Sequence, residues 1–152
     1  MGDLLVPLYT LPEISKKPEQ SWTIRKPIPP EKYVITEWVG THFSKQWQSE
    51  VEVALSQNPA SCLIAVEDNQ MIGFACFNVT ALSFFGPTGV SEKARGRGIG
   101  LQLLIQSLLE MKHMGYAYAI IGSAGPVDFY KKAVGAIEIP GSEKSIYQGM
   151  LR

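Results

Sequence analysis

The sequence predicts an α/β fold, a mixed and mostly antiparallel twisted sheet with helices on both faces, and three observations carry that expectation. The middle of the chain holds two β-rich apolar runs, Cys62 to Val66 and Met71 to Val79, separated by the turn-forming cluster Glu67-Asp68-Asn69-Gln70. The second half alternates strand-like and helix-like segments, which asks for right-handed parallel crossovers. With 152 residues, 45% hydrophobic and 18% charged, the chain can build one domain with a core of its own.

Taken in order, the first twenty residues carry Pro7, Pro12 and Pro18 and are expected to form an extended arm. A single domain is expected over 21–152. Trp22 to Arg25 suits a first strand, stopped by Pro27, Pro29 and Pro30. Pro30 suits the first turn of a helix whose apolar face is Val34, Trp38 and Val39. After Gly40 to Ser44 a second helix places Trp47, Val51, Ala54 and Leu55 at helical spacing, and Asn58-Pro59 ends it. The hairpin follows. Leu82 to Phe85 continues as a strand, with a kink or bulge expected over Gly86-Pro87-Thr88-Gly89-Val90. Leu101, Leu104, Ile105, Leu108 and Met111 outline an amphipathic helix closed by Gly115. Tyr116 to Ile121 is apolar enough for a buried strand. Gly125-Pro126 opens a short helix that Gly135 terminates, and closing strands are expected at Ala136 to Ile139 and Ser145 to Leu151.

Composition excludes several classes of function. The formal net charge is zero, so no basic excess exists to neutralise a run of phosphates, and nucleic acid is not an expected partner. Apolar stretches break well before the ~20 residues of a membrane helix, and the opening residues lack the basic flank and cleavage site of a signal peptide. Cys62 and Cys76 lie in apolar runs without C-x-x-C spacing, and His42 and His113 are the only histidines. Buried reduced thiols, no metal and a cytoplasmic location are expected.

The chemistry is concentrated in Arg95-Gly96-Arg97-Gly98-Ile99-Gly100, between a strand and the strongest helix. Glycines allow positive φ and close approach of backbone to ligand. Free amides at a helix N-terminus favour an anion, and two arginines add charge. A phosphate or pyrophosphate suits such a loop; the competing reading is a glycine-rich turn that merely starts a helix. The G-x-x-x-x-G-K-[ST] loop of nucleotide triphosphate sites is missing. The dinucleotide G-x-G-x-x-G also fails, because Leu101 stands where its third glycine belongs.

The pattern Arg95-x-x-Gly98-x-Gly100 resembles the [RQ]-x-x-G-x-[GA] signature of the GNAT superfamily of acyl-CoA-dependent N-acetyltransferases, and the order of elements is similar over roughly residues 20–152. The resemblance implies that amides from Arg95 to Gly100 hold the pyrophosphate of acetyl-CoA as cosubstrate. It also implies that the pantetheine arm lies beside Thr88, Gly89 and Val90 like an added strand. An N–H near Val90 would polarise the thioester carbonyl. Ser123 stands where the family often has Asn, seven residues ahead of Tyr130, whose counterpart protonates the departing thiolate. Ser123 is shorter than Asn, and Ala136 replaces a frequent aromatic. Because Val127, Tyr130 and Val134 share a helix face, a packed core tyrosine is the competing reading.

The implied reaction is direct transfer of an acetyl group to a primary amine of a small molecule. An acyl-CoA-binding sensor of the same fold and an acyltransferase for longer acyl groups are the alternatives, and a homodimer is left open. Trp38, His42, Trp47 and Phe85 are candidates for contact with the acceptor, against the reading that such aromatics are core. They suggest a compact apolar pocket. No acid occurs from Leu82 to Val90, and Glu92 lies on the way to the glycine loop. Deprotonating an amine of pKa ~10.4 costs ~4.6 kcal/mol at pH 7, against ~1.1 for one near ~7.8. A low-pKa acceptor, such as an α-amino group or an amino sugar, is therefore expected.

Overall fold

A computed structural model describes residues 2–14 and 19–152. Its elements are β1 (Leu4–Pro7), β2 (Thr23–Arg25), α1 (Lys32–His42), α2 (Lys45–Leu55), β3 (Cys62–Glu67), β4 (Gln70–Phe77), β5 (Phe84–Val90), α3 (Ile99–His113), β6 (Tyr118–Ile121), α4 (Val127–Val134) and β7 (Ile137–Glu138). The strands form one sheet in the order β2-β3-β4-β5-β6-β1-β7. Among the described residues only β5 and β6 pair in parallel; the other neighbours are antiparallel.

The central hairpin is apolar on both sides because both sides are buried, the pattern of a covered strand. Alternate residues go to opposite faces. Cys62, Ile64, Phe74 and Cys76 join Ile35, Val39, Val51 and Ala54 of α1 and α2 in one cluster. Leu63, Ala65, Ala75 and Phe77 join Leu103, Leu104, Leu108 and Met111 of α3 in the other. Cys62 and Cys76 face each other across β3 and β4 as free, buried thiols. The two-residue turn between Glu67 and Gln70 has positive φ at Asp68 and Asn69, as the twist of a tight hairpin requires.

Four expectations need correction. The arm expected over residues 1–20 is, over its described residues 2–14, part of the domain: β1 lies between β6 and β7, with Leu4, Val6 and Leu8 buried in the core. Pro18 lies outside the described residues. Second, α1 buries Ile35 and Val39, whereas Val34 is 62% exposed, since the face toward the sheet is set by packing one position further along. Third, Leu82 is exposed in a turn and β5 begins only at Phe84. Fourth, residues 145–151 form turns rather than a closing strand, because the position beside β6 is already taken by β1. No helix among the described residues is long and apolar enough to cross a membrane.

Candidate active site

The site forms where the sheet forks. β5 and β6 pair only through Phe84–Ile120 and Phe85–Ile121. Between the pairs Phe77–Phe85 and Ala75–Thr88, β5 has one residue more than β4, so Gly86 and Pro87 make the expected bulge. Gly86 takes φ of +119°, open to glycine and strained for other residues. Past the bulge β5 stays on β4 and leaves β6 behind. Ser91 donates its amide to Ile72 at 2.8 Å. Backbone groups alternate sides along a strand, so the amides of Thr88 and Val90 face the open fork.

At the far end of β5 the chain turns through Glu92–Ala94 into the glycine loop. Gly96 and Gly98 take φ of +81° and +85°, and a Cβ added at either would meet nothing within 4 Å. The loop therefore has free space above its backbone. The ladder of α3 begins with the Gln102 amide, which donates to the Gly98 carbonyl at 3.1 Å. The amides of Ile99, Gly100 and Leu101 are thus the donors that a helix start leaves for a ligand, reinforced by the helix dipole.

The two arginines differ. Arg97 is clamped by Glu67, with contacts of 3.0 and 2.5 Å, and also donates to Ser21. This pairing holds the Glu67 carboxyl at a pKa of about 2. Arg95 donates from Nε to the Val90 carbonyl at 3.2 Å and keeps its terminal nitrogens at an exposed edge. Gly89 serves packing: a side chain there would come within 2.3 Å of the Phe43 ring.

Inside the fork is a cavity of about 850 Å³, walled by α2, the bulge of β5, the end of β6, the start of α4 and the C-terminal turns. Thr88, Ser123 and Tyr130 line it; Val90 does not. Tyr130 projects from α4 and is 7% exposed, and burial pushes its phenol above the ordinary range, so it is protonated at neutral pH. The loop after β6 turns at Ser123 with φ of +45°, and the Ser123 amide donates to Asp3 at 2.9 Å. Asp3 also accepts from Ser145 at 2.6 Å, while its own amide donates to Ser142 at 2.8 Å. One buried carboxylate thereby ties the N-terminal strand, the rim of the fork and the C-terminal turns together.

Of the candidate acceptor contacts, Trp47 and Phe85 line the cavity. Trp38 and His42 do not: Trp38 packs on Phe43 and Phe74, and His42 stacks on Trp38 with Nδ1 2.9 Å from its carbonyl oxygen. The acid that sequence reasoning missed is Glu50, which reaches the cavity from α2, next to Thr80, whose hydroxyl donates to it at 2.5 Å. The signal was helical spacing, since Glu50 follows Trp47 by three residues on one face. Tyr147 of the C-terminal turns is also in the wall; burial and then the Glu50 charge push its phenol up. β5 itself carries no acid, as expected, but Glu50 brings one to the cavity from α2, so the argument for a low-pKa acceptor no longer follows.

A helix start with unpartnered amides, an open strand edge and a buried phenol thus lie along one fork. The family model described as Acetyltransferase (GNAT) family matches residues 20–136. The chain belongs to the GNAT acetyltransferase family. Solved structures agree on the GNAT fold. A GCN5-related N-acetyltransferase from Sphaerobacter thermophilus is 23% identical, with 91% of this chain and 48% of that one covered at a TM-score of 0.71. The GCN5-related glucosamine N-acetyltransferase region of a fungal multi-domain GH3 β-N-acetylglucosaminidase is 15% identical, with 91% and 19% covered at 0.71. A GNAT family N-acetyltransferase from Escherichia coli, solved in complex with CoA, is 25% identical, with 68% and 63% covered at 0.54. This chain spans less than two thirds of the length of each of the three. No curated protein matches it.

Proposed function

We propose that this GNAT chain binds acetyl-CoA and transfers the acetyl group to a primary amine of a small molecule, by direct attack in a ternary complex. The observation that carries the reading is the fork: unpartnered amides at the start of α3 at one end, a cavity containing the protonated Tyr130 at the other, and the open edge of β5 between them. The residues fit the cosubstrate. Positive-φ glycines leave room for a pyrophosphate, and the strand edge offers Thr88 and Val90 to the amide groups of a pantetheine arm. The CoA bound to the E. coli relative supports the same choice.

In this reading the loop amides and Arg95 hold the pyrophosphate, while Arg97 stays with Glu67. The Thr88 amide, facing the fork beside the cavity, is better sited than that of Val90 to polarise the thioester carbonyl. The neutral amine attacks the carbonyl carbon. A C–N bond forms, the C–S bond breaks, and the sulfur leaves with the electron pair. Tyr130 donates its proton to that sulfur, and the phenolate is restored by the surplus proton of the attacking nitrogen. Holding both partners in one cavity supplies the entropic part of the acceleration. The test is steady-state release of free CoA from acetyl-CoA across a panel of amines. Amine-dependent release supports a transferase; tight acetyl-CoA binding without release with any amine supports a sensor instead.

A further inference from the structure

We infer that the acceptor is a monoamine with an apolar or aromatic body, whose ammonium is held by Glu50 and passes one proton to that carboxylate, and on to water, before the neutral amine attacks. This rests on the proposed transfer to an amine and names its substrate class.

The cavity is chemically one-sided. Among its lining residues Glu50 is the only charged side chain, and there is no Lys, Arg or His. The remaining wall includes Trp47, Phe85, Pro87, Ile121, Ile146 and Met150. Glu50 itself is fixed rather than free. Thr80 donates to Oε1, and among the described residues Oε2 has no hydrogen-bond partner. A partly desolvated carboxylate with one open oxygen matches an ammonium, with which it can form a charge-assisted hydrogen bond.

The same inventory argues against the other amine classes. An amino acid brings a carboxylate that would meet no cation and would be repelled by Glu50. A polyamine brings further ammonium groups, each of which would be buried in this wall without a carboxylate. An amino sugar brings several hydroxyls to a wall where Gln46, Ser49, Thr88, Ser123 and Tyr147 are scattered over a mainly apolar surface, so only part of their water hydrogen bonds is replaced. A hydrocarbon or aryl body instead gains by leaving water, at roughly 25 cal/mol per Å². The exposed Ile146 and Met150 extend that apolar surface to the rim.

The experiment compares kcat/KM for 2-phenylethylamine, alanine, glucosamine and spermidine with the unaltered protein and with Glu50→Gln. The inference expects 2-phenylethylamine to exceed each of the others by at least tenfold. Glu50→Gln should lower its kcat/KM at least tenfold while leaving acetyl-CoA affinity and Tm unchanged. Preference for alanine, glucosamine or spermidine would overturn the inference but leave acetyl transfer intact. Undiminished kcat/KM in a folded Glu50→Gln would remove Glu50 from acceptor recognition and so overturn it too. Binding of acetyl-CoA without transfer to any of the four amines would overturn the inference, and turnover of another amine in the wider panel would then leave acetyl transfer standing.

Discussion

The glycine loop and the cavity sit at opposite ends of one fork and are made by different means. The loop is six consecutive residues, and its working parts are backbone amides aimed by positive-φ glycines and a helix start. The cavity is assembled from α2, β5, β6, α4 and the C-terminal turns, and its working parts are side chains. A contiguous backbone site is written locally and depends little on the rest of the chain. A cavity of distant side chains depends on every long-range contact that positions its walls. In the proposed function, binding of the cosubstrate and choice of the acceptor can therefore change independently.

The sharpest test of the cavity end is Tyr130→Phe, which keeps the ring in place and removes the hydroxyl. kcat should fall by ~10²–10⁴-fold with acetyl-CoA affinity unchanged; a fall of less than threefold would make Tyr130 a core residue. Burial raises its folded pKa above that of the unfolded chain. The stability tied to the neutral phenol is thus complete below about pH 10 and declines as pH rises through the folded value. The unaltered protein should show a Tyr130-dependent loss of kcat only above that pH.

Asp3→Ala attacks the tie between β1, the rim at Ser123 and the C-terminal turns. Leaving the Ser123 amide and the Ser145 hydroxyl without their acceptor should cost about 1–3 kcal/mol in denaturant unfolding. KM for the acceptor should rise more than KM for acetyl-CoA. An equal rise in both would mean that the two ends are not separable.

At the loop end, Gly98→Val places a branched side chain where φ is +85° and where a phosphate must approach. Titration calorimetry should show acetyl-CoA affinity reduced at least tenfold, about 1.4 kcal/mol. Unchanged affinity in a folded variant would show that the loop does not hold the pyrophosphate. The smallest effect is expected from Glu67→Gln, which releases Arg97 from its clamp. Affinity for acetyl-CoA should rise about two- to threefold, as expected for an exposed pair of modest strength. The depressed folded pKa of about 2 keeps Glu67 charged above that value. The clamp is therefore present at neutral pH and lost only as pH falls toward 2, so acetyl-CoA affinity between pH 5 and 8 should show no titration from Glu67.

What the sequence by itself determined is what short-range rules govern. Turn residues at 67–70 and 86–90 located the hairpin and the bulge, helical spacing located α2 and α3, and the glycine pattern located the loop that opens α3. Each follows from the allowed dihedral angles of a few neighbouring residues or from one period of apolar side chains. Tertiary structure alone decided the rest. β1 has only four residues, and its strand exists because β6 and β7 supply hydrogen bonds on both sides from more than a hundred residues away. With that position filled, the C-terminal segment became turns and was free to wall the cavity. Helical spacing put Glu50 on the face of Trp47, but a charged residue there suits a solvated face equally well. Only the fork of β5 and β6, a long-range pairing that stops after two residues, turns that carboxylate and Tyr130 toward the same space.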